Sequence, residues 1–131
     1  MPQVTVTFDC NAKTFDVKPP TVPVPANASV ILNWKVVATH PNPGNSVRFT
    51  AAGGIIFKPN SNWPGGTPVV DANDATVYTA TDNNIASSAG DFFYSINILL
   101  LDGNGGSTPY TFDPDIDNQG TPIKMARVSR Q

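Results

Sequence analysis

Apolar side chains fall at every second position in short runs along this chain, and proline, glycine or asparagine closes nearly every run. A period of two turns one side of each segment inward, as a half-buried β-strand requires, and it is incompatible with the 3.6-residue period of a surface helix. Val4, Val6, Phe8 and Cys10 alternate with Thr5, Thr7 and Asp9, and Val30, Leu32, Trp34 and Val36 alternate with Ile31, Asn33 and Lys35. Phe92, Tyr94, Ile96, Ile98 and Leu100 line one face of the longest run, while Phe93, Leu99 and Leu101 make its other face partly apolar. Such a run predicts a central strand covered on both sides at one end. Composition points the same way: 13 Pro, 10 Gly, 13 Asn and 13 Thr stand against no glutamate at all. Turn and strand residues are abundant, and a common surface helix former is missing.

Phe15 and Val17 lead into Pro19, Pro20, Pro23 and Pro25. Proline cannot donate to a ladder, so this stretch is expected to be an edge strand or an extended crossing segment. A loop is expected from Lys58 to Asp74, a modest strand at Val77 and Thr79 before an Asp82-Asn83-Asn84 turn, and a glycine-rich hairpin turn from Asp102 to Ser107. At 131 residues the chain fits one domain, read as 1–118 with a tail at 119–131 that is either a disordered end or a last edge strand. Seven to nine short strands with regular turn signals predict an all-β fold, a two-sheet antiparallel Greek-key β-sandwich.

The charge excludes some partners. Ten aspartates against eight Lys plus Arg give a net charge of −2, with no basic stripe for nucleic acid. No apolar run is long enough to span a bilayer and no leader pattern opens the chain, so no membrane partner is expected and the cytoplasm is the default compartment. Cys10 has no partner for an internal disulfide, and its place in an alternating strand makes it a small buried hydrophobe.

The stretch Val24-Pro-Ala-Asn-Ala-Ser-Val-Ile-Leu-Asn-Trp34, followed by His40 and by Val47-Arg48-Phe49, resembles the cupredoxins: a turn, an alternating strand with an aromatic residue, then a loop bearing the first copper histidine. Gly90-Asp-Phe-Phe-Tyr-Ser-Ile96 similarly resembles the strand that precedes the copper cysteine. The resemblance implies a cupredoxin-like or immunoglobulin-like sandwich. It does not carry over the copper. Blue copper needs two imidazoles and a thiolate, whereas His40 is the only imidazole, Ile96 stands at the position of the cysteine, and no Cys, His or Met follows until Met125. The immunoglobulin pattern of Cys, Trp and second Cys is also incomplete, with Cys10 and Trp34 but no third member.

Trp63 is the first candidate ligand contact, since a tryptophan flanked by Asn60 and Asn62 can stack on a sugar ring while the amides bond its hydroxyls. The plainer reading has Trp63 folding back over the end of the sandwich. Asp113, Asp115 and Asp117 space three carboxylates as a calcium loop does, but Asn118 stands where glycine is preferred and Lys124 where the bidentate carboxylate belongs. Alternate aspartates facing water on a terminal segment explain the same spacing. A serine or cysteine nucleophile needs a nearby base and only His40 could serve, so no enzyme is expected. The expected function is a non-catalytic, metal-free module that binds a protein partner or itself through Phe93, Leu99 and Leu101. The alternative is a carbohydrate-binding, lectin-like module using Trp63, steadied by calcium at the aspartate run.

Overall fold

The alternating runs form strands, and no helix occurs among the described residues. A computed structural model describes residues 3–19, 21–24, 28–41, 43–57, 66–84, 90–112 and 127–130. Within them run β1 (Gln3–Asp9), β2 (Thr14–Lys18), β3 (Thr21–Val24), β4 (Ala28–Thr39), β5 (Ser46–Phe49) and β6 (Ile55–Phe57). They are followed by β7 (Val69–Asp71), β8 (Asp74–Asn84), β9 (Gly90–Leu101), β10 (Ser107–Phe112) and β11 (Arg127–Arg130).

The strands make two sheets. The first has the order β2-β1-β4-β8-β7, and the second follows the path β10-β9-β11-β3, with β5 and β6 also pairing β9. Four expectations need correction here. Eleven strands are present among the described residues rather than seven to nine, because the proline-rich stretch supplies two strands, β2 in one sheet and β3 in the other, and the short segment β7 pairs despite a weak local signal. The sheets are mixed rather than purely antiparallel, since β1 pairs β4 in parallel and β11 pairs β3 in parallel. The Asp82-Asn83-Asn84 turn is instead the end of β8, held extended by pairing with Val30, Ser29 and Ala28. There the ladder offered by β4 outweighs the turn preference of Asx residues. The loop expected from Lys58 to Asp74 is likewise interrupted by β7, which forms a tight hairpin with β8 in which Asp71 Oδ1 accepts the Asn73 N–H at 2.7 Å.

Period-two alternation sets the core. Val4, Val6 and Phe8 of β1, Leu32, Trp34 and Val36 of β4 and Tyr78 and Ala80 of β8 face the even-numbered residues of β9, Phe92 to Leu100, all of them buried. Cys10 is buried with them, and burial raises its thiol pKa. Aromatic rings join the sheets at several places across the sandwich. Phe8 meets Tyr110 at 4.9 Å, Trp34 meets Tyr94 at 5.4 Å, and Phe49 meets Tyr78 at 5.3 Å between ring centroids. Pairs at these separations contribute about 0.5–1.5 kcal/mol each beyond the area they bury.

β9 organises the second sheet. Asn97 spends both backbone groups on the β5–β6 side, donating to Gly54 O at 2.8 Å and accepting from the Thr50 N–H at 3.0 Å. Successive residues of a strand aim these groups at opposite edges, so Ile96, Ile98 and Leu100 aim theirs at β10, where Phe112, Tyr110 and Thr108 lie opposite. Ser107, Pro109 and Thr111 therefore point their backbone to the other edge of β10, which pairs with nothing else among the described residues. Pro109 sits in a paired strand at a position where its missing N–H costs no ladder bond.

Candidate interaction surface

Since the even residues of β9 fill the core, the odd ones stand on the outer face of the second sheet. Phe93, Leu99 and Leu101 are each half-buried there. Register places Arg48 and Pro109 on either side of Leu99, Ser46 and Ser107 on either side of Leu101, and Ile56 beside Ser95. Ile56 is 47% exposed. The face thus carries apolar groups at both ends, with Leu99, Leu101 and Pro109 at one and Ile56 and Phe93 at the other.

A polar row separates them, and its bonds are already made. Asn97 Nδ2 donates to Gly53 O at 2.8 Å, and its Oδ1 accepts the Thr111 hydroxyl at 2.6 Å. Covering an amide that keeps its partners avoids the penalty of about 1–3 kcal/mol that an orphaned polar group carries. The row is therefore compatible with burial against another molecule.

Leu99 and Arg48 also line a cleft of about 360 Å³ beside the β7–β8 hairpin, whose far wall is Val70, Asp71, Asn73 and Asp74. Asp74 is firmly ionised. Its side-chain and backbone bonds from Thr76, then its bond from Lys35 Nζ at 3.2 Å, hold its pKa down at about 2 against an ordinary 3.8. Arg48 forms no ion pair with either aspartate among the described residues. This corner presents charge of both signs beside an apolar wall.

At the other end of the sandwich Asp9 Oδ1 accepts the Asn11 and Ala12 amides, at 2.9 and 3.2 Å, and lies 3.3 Å from His40 Nδ1. The two amides, with His40 contributing less, lower the Asp9 pKa. His40, whose side chain is 70% exposed, adopts a left-handed φ of 53° as it leaves β4. Asparagine, aspartate and histidine tolerate that region better than most residues.

The expected ligand contacts Trp63, Asn60 and Asn62, and the aspartates 113, 115 and 117, lie outside the described residues. Among the described residues no group of three or more His, Cys, Asp or Glu is placed to hold a metal ion, and no helix is long and apolar enough to cross a membrane. Phe93, Leu99 and Leu101 do share one face. Sequence reading passed over Ile56, Pro109 and Arg48, which flank them. Ile56 was legible in principle, because it lies between two core residues, Ile55 and Phe57, and alternation alone sends it outward. No protein family, curated protein or solved structure matches the chain.

Proposed function

We propose that this chain is a non-catalytic, metal-free interaction module that binds a protein partner or a second copy of itself through the outer face of β9, on a Greek-key sandwich of the cupredoxin-like or immunoglobulin-like kind. The observation that carries the reading is the set of apolar side chains Phe93, Leu99 and Leu101, turned outward on the strand that also forms the centre of the core, with Ile56 of β6 beside them. Outward apolar groups cost solvation when bare and return it when covered, at about 25 cal/mol per Å². The satisfied Asn97–Thr111 row permits that covering, and Arg48 at the rim supplies charge for orientation.

Sedimentation velocity over a range of concentrations tests the self-binding form. Reversible association should weaken at least tenfold in Leu99→Glu and in Ile56→Glu, while Ile31→Glu, on the outer face of the first sheet, should leave it unchanged. Association equally insensitive to all three substitutions, or a wild-type chain that neither associates nor gives a β9-face cross-link to any protein, overturns the reading.

A further inference from the structure

The last strand, β11, does not lie on a sheet edge. It is inserted between β9 and β3, antiparallel to the first and parallel to the second, and it is the only strand that pairs β3 among the described residues. Its register sets Val22, Val128 and Phe92 side by side across three strands, all buried, with Val128 at 0% exposure. Without β11, Val22 and Phe92 would face each other across an empty strand position with ladder groups unpaired on both sides. β9 and β3 thus form a slot for one extended segment with a β-branched residue at its centre.

The connection to that segment is longer than its span requires. Phe112 ends β10 opposite Ile96 and Arg127 begins β11 opposite Phe93, so the two ends lie on the order of 10–15 Å apart given strand spacing and rise. Four or five extended residues would cover this. Residues 113–126 are available for it, and fully extended they reach roughly 45–50 Å. A chain with that reach can seat its own β11 or hand it to a neighbour.

Association along the β3 and β10 edges is disfavoured, because Pro23 and Pro109 withhold donors there. The slot has no such guard. We propose that the slot between β9 and β3 accepts Arg127–Arg130 of a second copy, giving a strand-exchanged pair in which each copy completes the other's sheet. The idea rests on the reading that the chain recognises its own kind, but it uses residues remote from Leu99 and Ile56. Exchange makes the same contacts in trans as in cis, so mass action decides it. Tethering favours the cis strand at low protein concentration, and the exchanged form should gain ground as protein concentration rises.

The test uses the register partners Asp91 and Ser129. Asp91→Cys and Ser129→Cys chains of distinguishable mass are unfolded and refolded together under mild oxidation, at concentrations from micromolar to millimolar. The double variant refolded alone at micromolar concentration reports the cis arrangement as an intramolecular disulfide. All chains also carry Cys10→Ala, because unfolding would expose that free thiol to the oxidant. A mixed disulfide joining one chain of each kind, rising at least tenfold across the series and lost when Val128→Asp is added to the Ser129→Cys chain, supports exchange. A double variant that closes intramolecularly while the mixture gives no joined product overturns it, as does a double variant that fails to close. Neither of those results bears on the β9 face, whose failure is read separately from Leu99→Glu and Ile56→Glu.

Discussion

The Tyr78 hydroxyl accepts the Gly54 N–H at 3.0 Å and so fastens β8 of the first sheet to the turn before β6 in the second. The same hydroxyl donates to Ala51 O at 2.9 Å. One buried phenol closes two backbone groups of a turn that Asn97 of β9 holds from the other side. Tyr78→Phe orphans the buried Gly54 amide and should cost about 1–3 kcal/mol, read by urea denaturation. A Cβ at Gly54 would come within 2.7 Å of Thr50 O, and nearer still to the Tyr78 ring, so Gly54→Ala should cost at least as much. A wild-type midpoint in Tyr78→Phe would show that the clasp contributes nothing.

Tyr94 should behave in the opposite way. Its hydroxyl is buried near the Trp34 indole N–H, which is close enough to favour the phenolate but outside hydrogen-bond geometry, and burial raises its pKa well above the usual 10. Tyr94→Phe therefore removes a desolvated group rather than a bond, and the change in stability should stay below about 1 kcal/mol or be favourable. A loss as large as that of Tyr78→Phe would mean that the Trp34–Tyr94 contact is a working hydrogen bond.

Asp74 predicts an acid dependence. A carboxyl whose folded pKa lies below its unfolded one stabilises the fold above the unfolded value, here 3.8, and loses that contribution as pH falls through about 2. Wild type should therefore melt above Asp74→Asn at pH 5–7, with the gap closing toward pH 2. A gap that persists undiminished at pH 2 would place its cause in hydrogen bonding rather than in charge.

Pro109 guards an edge. Replacing it with threonine keeps the residue exposed but restores an N–H on the unpaired side of β10, so Pro109→Thr should raise the rate of aggregation in light scattering with little loss of stability. Unchanged scattering would show that this edge is protected by something other than the missing donor.

The sequence made the core legible and the pairing less so. Val4 to Phe8, Leu32 to Val36 and Phe92 to Leu100 were readable as inward faces because alternation is local, and each proved buried. What alternation cannot reveal is the neighbour. The parallel pairing of β1 with β4, the insertion of β11 and the extension of β8 through Asn84 all depend on strands distant in the chain. The outward set on β9 was legible for the same reason as the core, since the odd positions follow once the even ones are fixed. Ile56 and Arg48 join that set through register, which no single stretch of sequence encodes.

The parallel match of Thr21 with Arg127 also sets a timetable for synthesis. A ribosome releases β3 early, yet that segment finds its hydrogen-bonding neighbour only when residue 127 has cleared the exit tunnel. Until then Val22 lacks the buried row it shares with Val128 and Phe92, so the second sheet is completed only at the end of synthesis.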